Sequence, residues 1–174
     1  MKNLFLSFLV SASLIACTNQ NAETDKQVIV GYNMSKDGNR APIYGGDISA
    51  VKIMENWIKA HNERDLATIR SLEASENFEI ISPDGSIDEG VDSQLKYLAT
   101  WFTNNNPKVT IRFLIASNFT NKSGKLQQWV TSGGELIETI DGKEVKNMDY
   151  YDALIINGKI QKMLIGRRKI VAGE

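Results

Sequence analysis

The sequence predicts an α+β domain: helices first, then a curved antiparallel sheet. The prediction rests on a change of period and on a set of turns. Apart from a short hairpin at 78–89, apolar residues between Asp47 and about Asn104 recur at steps of three and four, and from Lys108 onward they alternate with polar ones. Asp141-Gly142 and Asn157-Gly158, with Ser123-Gly124 a weaker case, separate the alternating runs with residues that suit tight hairpin turns. Helices gathered before a run of hairpins pack on one face of the sheet.

Residues 1–16 read as a secretory signal, with Lys2, an apolar run from Leu4 and a small residue before the cleavage point, too short to span a bilayer. Leu14-Ile15-Ala16-Cys17 resembles the bacterial lipobox, which implies cleavage before Cys17 and acylation of its sulfur and its amine. Several acyl chains make such an anchor effectively permanent. Cys17 is the only cysteine among 174 residues, which excludes a disulfide within the monomer. Thr18 stands where an aspartate favours the inner membrane in enteric bacteria, so the expected address is the cell envelope, on the outer membrane facing the periplasm. Residues 17–46 are expected to be the lipidated cysteine and a flexible tether, mostly irregular, with at most a short strand at Val28 to Val30. Gly31, Gly38, Pro42, Gly45 and Gly46 interrupt any longer pattern.

Positions 47–170 suffice for one domain with one core. Asp47 or Ser49 caps a first helix whose stripe is Ile48, Val51, Met54, Trp57, Ile58 and His61. Asn62-Glu63-Arg64 ends it, and Asp65 caps a second helix from Leu66 to Leu72. A strand at Phe78 to Ser82, the turn Pro83-Asp84-Gly85-Ser86 and a return strand at Ile87 to Glu89 follow. Gly90 opens a third helix, and four strands complete the chain, near 109–116, 125–139, 145–156 and 159–168.

With 20 basic and 21 acidic residues the formal charge is nearly balanced, and Arg167-Arg168-Lys169 is too small a cluster for nucleic acid. One histidine and scattered carboxylates form no metal-ligand set, and no cofactor is expected.

Four local features resemble the nuclear-transport-factor-2-like superfamily, and within it SnoaL-like and ketosteroid-isomerase-like domains. They are Trp57 with Asp65 eight residues on, the Ser82-Pro83-Asp84-Gly85 turn, Gly90 before the third helix, and Asp152 followed by Asn157-Gly158-Lys159-Ile160. The resemblance implies a cone-shaped fold, its sheet wrapped around the N-terminal helices to leave a cavity. That architecture hosts isomerases, hydrolases, dehydratases, cyclases and binding domains, so it implies no single activity. In the isomerase pattern Trp57 stands where a tyrosine donates to an oxyanion, Ser82 where an aspartate is the general base, and Asp152 matches the protonated acid that makes the second donation. One match in three disfavours a steroid isomerase.

Strand parity gives a second view of Asp152. With a two-residue turn at Asn157-Gly158, Asp152 faces Met163, and Tyr150, Leu154, Gln161 and Ile165 share its side. A two-residue turn at Asp141-Gly142 places Thr131 opposite Asp152 and adds Trp129. Large apolar groups around a few polar ones suit a ligand cavity, so Trp57, Trp101, Trp129, Tyr150, Leu154, Met163 and Ile165 are the expected lining. The other face carries Tyr151, Ala153, Ile155 and Leu164 and would be covered by the chain or by a second copy in a homodimer. Three functions remain open: a binding module for a small, mostly apolar molecule, an enzyme using His61 and Asp152 as acid and base, or a structural lipoprotein.

Overall fold

A computed structural model describes residues 27–34 and 38–171; the signal segment, Cys17 and Thr18 to Lys26 lie outside the described residues. The elements in chain order are β1 (Ile29–Met34), β2 (Arg40–Gly45), α1 (Ile48–Glu63), α2 (Leu66–Leu72), β3 (Glu79–Ile81), β4 (Ile87–Glu89), α3 (Val91–Asn105), β5 (Lys108–Thr120), β6 (Leu126–Ile140), β7 (Lys143–Ile156) and β8 (Lys159–Lys169). The strands form one sheet in the order β1-β2-β5-β6-β7-β8-β3-β4. All neighbours are antiparallel except β3 and β8.

Helix α1 starts where the Asp47 side chain accepts a hydrogen bond from Ser49 N, and it ends at Arg64, which takes a left-handed conformation at φ 63°. Asp65 then caps α2 by accepting from Thr68 N, so the corner between the helices is fixed by consecutive residues. Arg64 closes the corner. Its Nη1 donates to His61 O at 2.9 Å and its guanidinium lies 4.8 Å from the centre of the Phe102 ring. The stripe of α1 buries Met54, Trp57 and Ile58 against Val130, Leu136, Ala153, Ile155 and Met163 of the sheet. Each large side chain removed from water in this way contributes about 1.5–3 kcal/mol.

Asp141-Gly142 and Asn157-Gly158 are two-residue turns with positive φ throughout, and Thr131 pairs with Asp152 as the first of these turns requires. Two bulges alter the count in the ladders from β5 to β8. One lies between Ile111 and Phe113 of β5, beside an ion pair of Arg112 with Glu135 at 2.8 Å. The other lies between Leu154 and Ile155, where β8 carries Gln161 as an extra residue whose amide donates to the carbonyls of Glu76 and Asn77.

The expectation of a mostly irregular stretch before Gly46 is corrected by the β1–β2 hairpin, which joins the sheet through Tyr44 with Asn118 and Gly45 with Ser117. Gly46 permits this approach. A Cβ there would lie 2.7 Å from the backbone of Ala116, so any larger residue would push the hairpin off β5.

Candidate functional site

A cavity of about 380 Å³ lies between α1, α3 and the inner faces of β6, β7 and β8. Its size is within the range of small-molecule sites. Trp57, Tyr97, Leu98, Trp101 and Ile165 supply apolar lining. Helix α1 contributes Trp57 and His61, four residues and one turn apart.

The polar lining comes from three adjacent strands. Arg167 of β8 donates from Nε to Asp149 Oδ1 and from Nη2 to Asp149 Oδ2, both at 2.8 Å, and from Nη1 to Glu138 Oε1 at 3.0 Å. Glu138 of β6 also accepts from Trp101 Nε1 at 3.0 Å, which ties the cluster to α3. The Asp149 and Glu138 side chains are sealed from water, whereas that of Arg167 is 31 % exposed. Burial works against the guanidinium, but the hydrogen bond and the charges of Asp149 and Glu138 prevail and hold it more firmly protonated than usual. Tyr151, whose hydroxyl is 3.4 Å from Asp149 Oδ2, is pushed up by burial and then by the Asp149 charge, so it stays a neutral phenol.

His61 is packed by rings. Its imidazole centre is 5.3 Å from Trp57, 5.2 Å from Trp101 and 4.8 Å from Phe102, and Nδ1 has no partner among the described residues. Burial, helped by the nearby Arg64 charge, lowers its pKa to about 3, so the ring is neutral at physiological pH. Glu73 accepts from Trp57 Nε1 at 2.9 Å, while its second oxygen has no partner among the described residues. Burial pushes this carboxyl up to about 7, against the Trp57 hydrogen bond and the Arg70 charge.

Of the residues expected at a cavity, Trp57, His61, Trp101 and Ile165 line it, as does Ser82. Met163 is fully buried in the core. Asp152 is corrected: it is exposed on the opposite face, where its Oδ1 accepts from Thr131 at 2.6 Å, and it is not brought together with His61. Tyr150, Leu154 and Trp129 share that outer face, with Trp129 stacked on Phe119 at 6.4 Å. Conversely Tyr151, Ala153 and Ile155, expected on the outside, are buried under the helices. The bulge explains why Met163 and Ile165 part from Asp152, while the inward face of β7 is set by the helices packed on it. Counting back from Asn157-Gly158 without an extra residue puts Met163 opposite Asp152, whereas Gln161 shifts the pairing so that Asp152 meets Leu164 and Met163 meets Ala153.

Glu138, Asp149 and Arg167 were absent from the expected lining. A signal for the first two is present in the sequence. Glu138 stands between Leu136 and Ile140, and Asp149 leads Tyr151, Ala153 and Ile155, so each is a charge at the inward parity of an otherwise apolar run.

No protein-family model matches the sequence, and no curated protein matches it. Solved structures do. A structure of an LEH-like epoxide hydrolase from M. tuberculosis superposes with a TM-score of 0.58 at 14% identity, covering 69% of this chain and 83% of that one. A Jannaschia sp. CCS1 protein designated a SnoaL-like polyketide cyclase gives 0.56 at 14% identity, covering 70% and 86%. A Kribbella flavida protein designated a ketosteroid isomerase gives 0.54 at 9% identity, covering 72% and 82%. The likeness lies in the layout of helices and sheet, and at these identities it extends to nothing else. The chain has the nuclear-transport-factor-2-like cone fold, a mixed α+β architecture with a large curved sheet around its helices.

Proposed function

We propose that the cavity binds a small, neutral, mostly apolar molecule through one acceptor oxygen seated on Arg167. The observation that carries this is a count of donors. A guanidinium has five N–H bonds, and three of those of Arg167 go to Asp149 and Glu138. Two remain on a side chain that lines the cavity and is partly exposed. Two carboxylates against one guanidinium give the cluster a formal charge of −1, which repels an anionic ligand and leaves a carbonyl, ether or hydroxyl oxygen as the suitable partner. Trp57, Trp101 and Leu98 would cover the apolar body.

Native mass spectrometry and solvent extraction of the purified protein test this reading. A retained neutral molecule is expected in wild type and should be lost in Ser82→Trp, which fills the cavity from its edge. An empty wild type that takes up no neutral carbonyl compound at millimolar concentration would contradict it.

A second reading, an acid–base enzyme acting on the same ligand, is favoured by Asp149 and Glu138 sharing one guanidinium beside a neutral imidazole. Water addition to an epoxide, the substrate class named for the M. tuberculosis neighbour, and isomerisation of an enone are the reactions to assay. Turnover abolished by Asp149→Asn and Glu138→Gln without loss of ligand binding would favour the enzyme.

In the same proposal the domain is held at the cell envelope by lipid on Cys17. Intact mass of the mature N-terminus should show the acyl chains, and Cys17→Ala should release a soluble form.

A further inference from the structure

The β1–β2 hairpin exposes apolar side chains that the core does not use. Val28, Ile29, Val30, Tyr32 and Met34 are each more than half exposed, Val28 at 70 %. The same end of the sheet is poor in acid. The described positions 27–34 and 38–46 carry Arg40 and no acidic residue, and positions 113–134 carry no acidic residue against Lys122 and Lys125, in a chain with 20 basic and 21 acidic residues overall. The Arg40 guanidinium lies 5.8 Å from the centre of the Tyr32 ring. Met34 and Arg40 of the hairpin share a groove with Thr120, Asn121 and Lys122 of the β5–β6 turn, so the two segments form one patch with apolar and basic character.

We infer that this patch docks on a membrane surface carrying anionic phospholipid headgroups. Aromatic and aliphatic side chains beside Lys and Arg match the boundary between acyl chains and headgroups, where apolar groups enter and basic ones pair with phosphate. Chain length puts the patch there. Nine residues separate Cys17 from Gln27, which at full extension span at most ~35 Å, and the hairpin is the first described element after them. This step rests on the lipid anchor proposed above. A second copy of the chain is the poorer occupant, because a two-fold contact through this patch would set Arg40, Lys122 and Lys125 against their own copies.

The test uses the mature chain, residues 17–174 with Cys17→Ala so that neither the apolar signal nor lipid is present, and vesicles of phosphatidylglycerol mixed with phosphatidylcholine, read by co-sedimentation. Binding to the mixed vesicles is expected, with little to pure phosphatidylcholine. Replacing Arg40 and Lys122 by Gln should weaken it about thirtyfold. Tyr32→Ser with Met34→Ser should weaken it as well, and unchanged melting temperatures will show that these exposed substitutions leave the domain folded. Equal binding by both vesicle types, no binding to either, or a dimer in solution that the Tyr32 and Met34 changes dissolve would overturn the inference. The anchor is judged apart from the patch: an unacylated Cys17 in the wild-type chain removes the tether, whereas vesicle binding by Cys17→Ala protein reports on the patch alone.

Discussion

Glu73 and Asp149 are both sealed carboxyl groups close to the cavity, yet only one is hydrogen-bonded to a cation. Asp149 receives two 2.8 Å hydrogen bonds from Arg167, while Glu73 has one bond from Trp57 and an oxygen without a partner among the described residues. Burial drives the Glu73 carboxyl to about 7, so near neutrality it takes up a proton. In the Asp149 cluster the two carboxylates hold the Arg167 guanidinium more firmly charged, and that charge lines the cavity. A buried acid with a cation can present a fixed donor to a ligand, whereas one without a cation mainly makes stability depend on pH.

Breaking the first cluster should have the largest effect. Arg167→Met leaves Asp149 and Glu138 buried without a counter-charge and should lower stability by about 3–5 kcal/mol in urea denaturation. Arg167→Lys should lose less, because an ammonium keeps the charge while forfeiting the bidentate contact.

The second region should respond with the opposite sign. The folded state keeps the Glu73 proton between 4.5 and about 7, where the unfolded chain has released it, so stability falls as pH rises through this window and stays low above it. Glu73→Gln removes that dependence and should stabilise the protein at pH 8 by on the order of 3 kcal/mol, with no gain near pH 4. Equal melting curves for the two proteins across this range would mean that Glu73 is ionised in the folded state.

His61 acts on the acid side. Its folded pKa of about 3 lies below the usual 6.5, so the unfolded chain binds the proton first and stability falls as pH drops below 6.5. His61→Phe should therefore lose about 2 kcal/mol less than wild type between pH 7.5 and pH 5. The smallest effect belongs to Asp152→Asn on the outer face. It weakens an exposed contact with Thr131, should change stability by under about 1 kcal/mol, and should leave ligand uptake unaltered.

Asp149 and Asp152 also show how far the sequence could be read. Helix stripes, caps and Asn-Gly or Asp-Gly turns are local signals, and α1, α2 and the β6–β7–β8 hairpins follow from them. Which side of β7 faces the helices is not local. Two aspartates three residues apart have opposite parity, and neither a turn nor a period says which is inside. The bulge at Gln161 gave Met163 and Ile165 the wrong partners when β8 was counted from its turn. Its cause, an amide held by the carbonyls of Glu76 and Asn77, joins residues more than 80 positions apart in the chain. The β1–β2 hairpin escaped for a related reason: its glycines looked like breaks, and the close approach that Gly46 allows depends on β5.

The most direct measurement is a titration of the tryptophan fluorescence of Trp57 and Trp101 with two compounds of the same apolar skeleton, one a neutral ketone and the other a carboxylate, each added to wild type and to Arg167→Lys. Seating of an acceptor oxygen on Arg167 within a cluster of formal charge −1 predicts that wild type binds the ketone at least about tenfold more tightly than the carboxylate, roughly 1.4 kcal/mol, and that Arg167→Lys loses most of the ketone affinity. Tighter binding of the carboxylate, or ketone binding indifferent to Arg167, would contradict it.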